Sequence, residues 1–100
     1  MNKVIMFKLA EKYYDNDRGY LYIPVSWREE FNITRDTIVG IDCENDVVII
    51  DKNVEREYTQ RLSKKGVLTI PLNLRQKLSH KIYNIYIVHA EEKVILKQDE

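Results

Sequence analysis

Apolar and polar positions alternate along this chain in a pattern that occurs twice. In Tyr20–Ile23, Leu21 and Ile23 fall on one face and Tyr20 and Tyr22 on the other, the period of a half-buried strand. Gly19 opens the run, and Pro24, which has no N–H to give a ladder, closes it. Val67–Ile70 stands in the same way between Gly66 and Pro71. Around these two runs the pattern predicts strand, strand, short helix, strand, strand, and then the same series again. The predicted strands of the first series are Val4–Leu9, Tyr20–Ile23, Ile38–Cys43 and Val47–Ile50. Those of the second are Glu57–Leu62, Val67–Ile70, Asn84–Ala90 and Val94–Lys97. Val47-Val-Ile-Ile50 is continuously apolar, which predicts a strand covered on both faces.

The connections are polar. Glu11–Arg18 reads as a charged turn centred on Asp15-Asn-Asp-Arg18, and Ser63-Lys-Lys-Gly66 is its counterpart. Glu44-Asn-Asp46 and Glu91-Glu-Lys93 read as hairpin tips. After each proline a short helix is expected. Ser26-Trp-Arg-Glu29 and Asn73-Leu-Arg-Gln76 both fit a capping box, in which the first side chain accepts from a free N–H and the fourth reaches back. Trp27 with Phe31, and Leu74 with Leu78, give each helix one apolar face, and Asn32 can end the first.

The repetition is a duplication. Gly19 and Gly66, Pro24 and Pro71, and Arg28 and Arg75 are each 47 positions apart. Without a gap, Arg18–Asp51 matches Lys65–Gln98 at 8 of 34 positions, where random pairing gives about two. The repeats span residues 1–53 and 54–100. A unit of ~45 residues is too small to keep a sufficient core alone, so the two are expected to share one. Neither has enough strands to close a barrel, so interleaving is the natural solution. The link Asp51–Arg56 permits this within a chain or between chains.

Composition narrows the chemistry. One cysteine, Cys43, excludes an internal disulfide and suits a reducing cytoplasm. With only His80 and His89 besides, no zinc site is expected, and no cofactor is implied. No serine or cysteine is spaced to make a nucleophile with a histidine, so an enzyme is not expected. The opening Met1–Phe7 reads as neither a signal peptide nor a membrane span. Net charge is zero but uneven, −3 over residues 1–50 and +3 over residues 51–100. Arg56–Lys81 holds seven basic residues against Glu57 alone, whereas Leu9–Thr34 is acidic by two. An anionic partner should therefore meet mainly the second repeat.

Gly66-Val-Leu-Thr-Ile-Pro-Leu-Asn-Leu-Arg75 and Gly19-Tyr-Leu-Tyr-Ile-Pro-Val-Ser-Trp-Arg28, each followed by an apolar helix and a hairpin, resemble the AbrB/MazE/SpoVT swapped-hairpin DNA-binding family. Two copies in one chain resemble its tandem, MraZ-like arrangement. The resemblance implies a mostly β swapped-hairpin barrel with two short helices, acting as a DNA-binding transcriptional regulator or in an antitoxin-like role. It carries Arg28 and Arg75 over as DNA ligands. The family's frequent arginines after the motif glycine and after the motif arginine are replaced here by Tyr20 and Val67 and by Glu29 and Gln76.

The candidate DNA-binding residues are Arg61, Lys64, Lys65, Arg75 and Lys77, with Arg28 and Arg18 from the first repeat. Guanidinium forks suit phosphates and guanine edges, and lysines suit phosphates. The plainer reading makes Arg28 and Arg75 helix-surface ion-pair partners and the lysines a solvated turn. Tyr13, Tyr14, Tyr20 and Tyr22 read as sheet cover or as stacking faces for a single strand. Trp27 reads as core, Cys43 as a small buried residue, and His89 as a strand residue equivalent to Asp42. The expected partner is double-stranded DNA, with a homodimer or higher oligomer open. The alternative is a basic protein partner held by Asp15, Asp17, Glu29 and Glu30.

Overall fold

The computed structural model describes residues 5–99. Along the chain come β1 (Met6–Asp15), β2 (Tyr20–Tyr22), α1 (Val25–Glu30), β3 (Ile38–Glu44) and β4 (Val47–Asp51). The second repeat supplies β5 (Tyr58–Arg61), β6 (Val67–Thr69), α2 (Leu72–Arg75), β7 (Ile82–Val88) and β8 (Lys93–Lys97). The eight strands form one antiparallel sheet in the order β5-β3-β4-β8-β7-β1-β2-β6, curled into a nearly closed barrel. The first hairpin of each repeat pairs with the other repeat. β1 lies on β7 (Tyr14 opposite Tyr83), β5 lies on β3 (Gln60 opposite Val39), and β2 lies on β6 (Leu21 opposite Leu68). β4 and β8 join the halves with Ile49 opposite Ile95. The two hairpins are thus exchanged within one chain, and the repeats share a single core.

Alternation puts that core in place. Leu21, Val39, Ile41, Leu68, Ile85 and Leu96 all point inward with at most 3% of their surface exposed. Each such side chain contributes about 1.5–3 kcal/mol by leaving water. Phe31 and Leu74 plug the barrel from the helices, both buried. Trp27 is only partly buried. It packs against the core while its indole touches Phe7, Phe31 and His89, with ring centroids 6.3, 5.6 and 5.9 Å away.

Several expectations need correction. β1 does not stop at Leu9 but runs through the polar stretch to Asp15, placing Tyr14 wholly in the core. It achieves this with a bulge at Glu11 (φ 58°), across which the register on β7 shifts. The expected first residue of that strand, Val4, lies outside the described residues. Neither capping box forms. Each helix starts two residues early, with Pro24 and Pro71 at the N-cap and no side-chain cap, so Ser26 and Asn73 already lie inside the first turn. Asn32 does end α1, at φ 55°. Val48 and Ile50 of β4 are buried, but Val47 and Ile49 are only half-buried.

The uniform offset of 47 also ends at the helices. β3 and β7 begin at Ile38 and Ile82, and inward Ile41 corresponds to inward Ile85. Ile38 itself points outward and is 42% exposed, so its identity with Ile85 is not a structural equivalence. The shorter α2 and the shorter loop after it account for the change. His89 is not in a strand but opens a 3₁₀ turn, His89–Glu91, that leads through Glu92 (φ 53°) into β8.

The link between repeats is a fixed clamp. The Arg56 guanidinium makes two hydrogen bonds of 2.7 Å to the Asp51 carboxylate and one of 2.8 Å to Asp42. The other Asp42 oxygen accepts from the Glu57 backbone N–H at 2.8 Å. The Arg56 and Asp51 side chains are only 14% and 12% exposed. Burial opposes the charge on Asp51, but the Arg56 hydrogen bonds outweigh it and lower its pKa. Arg56 is therefore neutralised and leaves the basic stretch counted from the sequence.

Candidate nucleic-acid interface

The β2–β6 ladder is three residue pairs long, Tyr20–Thr69, Leu21–Leu68 and Tyr22–Val67. Leu21 and Leu68 face the core, which leaves Tyr20, Tyr22, Val67 and Thr69 on the outer face. The ladder is extended at each end by one bond across the repeats. Ile70 N–H donates to Gly19 O at 2.8 Å, and Ile23 N–H donates to Gly66 O at 2.9 Å. The two motif glycines therefore mark its opposite ends, ~13 Å apart at ~3.3 Å per residue.

Each glycine is covered by the motif arginine of the other repeat. A Cβ on Gly19 would stand 2.7 Å from the guanidinium carbon of Arg75, and one on Gly66 would stand 2.5 Å from that of Arg28. Both glycines also need their positive φ, 75° and 80°. Arg75 is the more tightly held. Its Nε and Nη2 donate to the carbonyls of Asn16 (3.0 Å) and Asp17 (2.6 Å), and Asn16 Nδ2 donates back to Arg75 O at 3.0 Å. Arg28 donates through Nε to Ile23 O at 2.7 Å. Its Nη2 lies over Gly66 and its guanidinium carbon is 5.7 Å from the Tyr22 ring centre, and neither terminal amino group has a hydrogen-bond partner among the described residues.

This exchange regroups the expected DNA-binding residues. Lys64 and Lys65 do not stand beside Arg75. They share the Gly66 end with Arg28, around an open groove of about 410 Å³ that Lys64 and Arg28 line together with Glu29 and Arg35. Neither lysine has an ion-pair partner among the described residues, whereas Arg35 reaches Asp36 at 3.8 Å. At the Gly19 end, Arg75 and Arg18 meet the acidic turn, and Lys81 approaches Asp17 at 3.6 Å. Both ends carry a cationic excess, although the first repeat alone is acidic. Arg61 stands apart on β5, its Nη1 3.4 Å from Asp36 O. Lys77 is turned toward Glu57 (3.7 Å) and the Tyr58 ring (6.0 Å), away from the ladder.

Sequence reasoning missed Lys12, Arg35 and Lys81. Lys12 lies over the Tyr22 ring at 5.9 Å, opposite in sequence terms to nothing that marks it. Lys81 reaches the Gly19 end only through the pairing of β7 with β1, and linear spacing carries no sign of that pairing.

A second polar cluster holds the β3–β4 tip. Asp46 accepts from Tyr83 Oη (2.6 Å), Ser79 N–H (2.9 Å) and Ser79 Oγ (2.7 Å), and lies 2.9 Å from His80 Nδ1. Partial burial works against its charge, but these hydrogen bonds prevail and lower its pKa to about 2. Serine and histidine here lean on the same carboxylate, and Ser79 Oγ meets the same imidazole nitrogen that Asp46 does, 3.0 Å away. The cluster fastens the hairpin tip to the loop after α2, and this is not the in-line arrangement of a proton relay.

Cys43 is half-buried, and burial raises its thiol pKa, which disfavours the nucleophilic thiolate. Among the described residues no group of three or more His, Cys, Asp or Glu side chains could hold a metal ion, and no helix is long and apolar enough to cross a membrane. Compared with models of known protein families, with curated proteins and with solved structures, the chain matches none of them.

Proposed function

We propose that this chain is a DNA-binding transcriptional regulator of AbrB-like type, and that it lays the outer face of the β2–β6 ladder on duplex DNA. The observation that carries this reading is the pair of cationic clusters flanking the ladder, built by exchanging Arg28 and Arg75 between repeats. The glycines that the two arginines cover stand ~13 Å apart along the ladder, close to the ~12 Å width of the major groove. One cluster can meet phosphates on each side of the groove. Lys64, Lys65 and Arg28 supply phosphate contacts that position the protein. Arg75, with two of its nitrogens committed to backbone carbonyls, acts chiefly to shape the Gly19 turn.

The alternative, a basic protein partner on the acidic residues of the first repeat, has less support. Asp17 faces Lys81 at 3.6 Å, and Glu30 Oε2 sits 2.8 Å from His89 Nε2. The acids are dispersed among cations rather than gathered on a face.

Fluorescence anisotropy with a mixed-sequence duplex at several salt concentrations tests the proposal. Wild type should bind with a steep salt dependence. Lys64→Glu/Lys65→Glu should bind more weakly, with a log–log salt slope shallower by about two. Absence of binding by the wild type at low salt would remove the reading.

A further inference from the structure

The outer face of the ladder carries more than charge. Tyr13, Tyr20 and Tyr22 are 62%, 61% and 44% exposed. Asp15 pairs with Tyr20 across β1 and β2, and continuing that register sets Tyr13 beside Tyr22. Since Tyr14 and Leu21 point into the core, the three rings share the outer side. Lys12 and Arg28 both approach the Tyr22 ring, at 5.9 and 5.7 Å.

The fold does not need these rings. At the offset of 47 that holds through the ladder, the second repeat has Val67 for Tyr20 and Thr69 for Tyr22. The chain forms the same strands without them. Three exposed aromatic rings among unpaired cations, on one half of a duplicated fold, form a stacking platform with phosphate ligands beside it.

We infer that this face also takes unpaired bases, so that it binds single-stranded nucleic acid more tightly than the intact duplex. This rests on the proposal that the face binds nucleic acid and specifies the ligand class. Lys64, Lys65 and Arg28 track the phosphates, while Tyr20, Tyr13 and the open side of Tyr22 receive bases. Stacking of this kind is sequence-tolerant, since every base has a π-face.

The test compares three fluorescent ligands of equal length at equal salt: oligo(dT), its duplex with oligo(dA), and an abasic strand with the same phosphates. The expected order is oligo(dT) tightest, with the abasic strand weaker by about tenfold or more. The variant Tyr20→Val/Tyr22→Thr, which carries the residues of the second repeat, should lose about tenfold or more on oligo(dT) and little on the duplex. The abasic comparison uses wild-type protein, so it holds even if the variant folds poorly. If oligo(dT), abasic strand and duplex bind alike, the inference falls and the charge-based proposal stands. If none binds at low salt, both fall.

Discussion

Arg75 of the second repeat lies over Gly19 of the first so closely that no side chain could stand between them. Its mirror is Arg28 over Gly66. The glycine and arginine that recur in each motif therefore meet across the repeats and not within them. Arg75 ties down the other repeat's first hairpin through the Asn16 and Asp17 carbonyls, whereas Arg28 covers Gly66 and bonds to Ile23 O of its own repeat.

This relationship predicts a coupled loss of stability. Gly19→Ala forces a Cβ into a left-handed backbone and displaces a guanidinium that is hydrogen-bonded to Asn16 and Asp17. The expected cost is about 2 kcal/mol, or roughly 10 °C in Tm for a chain of this size. Arg75→Ala in the same chain should relieve the collision, so that the two losses sum to less than their separate values by about 1 kcal/mol. Thermal unfolding of the two single variants and the double variant measures this, and strict additivity would refute the contact.

Acid should unfasten the β3–β4 tip. Asp46 has a folded pKa lowered to about 2 from the ordinary aspartate value of 3.8. A depressed carboxylate pKa means that the stabilisation is fully present above the unfolded value and is lost as pH falls through the folded one. Asp46→Asn should therefore cost about 1–2 kcal/mol at pH 7 and progressively less from about pH 4 down to pH 2. Denaturant titrations of wild type and variant across that range read the difference directly. A gap that stays constant to pH 2 would show that the tie does not depend on the ionised carboxylate.

The clamp between repeats makes a third prediction. Arg56→Met removes one partner of a covered ion pair and leaves Asp51 without its bidentate partner. A cost of about 3–5 kcal/mol is expected by chemical denaturation. Adding Asp51→Leu should return part of it, because the stranded charge goes too. A cost below 1 kcal/mol for Arg56→Met alone would mean that the linker contributes little to the fold.

Much of the architecture was legible because it rests on local pattern. Gly19 and Pro24 bracket a two-period run, and Gly66 and Pro71 bracket another, so the strands, the short helices and their interleaving followed. What was hidden depends on contacts between distant residues. The strand through Lys12–Asp15 is polar by composition, and only its pairing with β7 reveals it. The capping boxes failed because Pro24 and Pro71 already supply the helix entry, leaving Ser26 and Asn73 two positions too late. The candidate site was legible as a set of cations but not as a grouping. Lys64 and Arg75 belong to one repeat yet flank opposite ends of the ladder, since each motif arginine crosses to the other repeat.

The exchange of hairpins within a single chain has a consequence for how this surface can diversify. In an association of two identical chains, every substitution is written twice, and the surface must read the same in both directions. Here the two halves are separate stretches of one sequence. Tyr20 and Tyr22 can stand opposite Thr69 and Val67 without a symmetry-related copy. The face therefore has polarity: a ligand that runs one way along it meets a different order of groups from one that runs the other way.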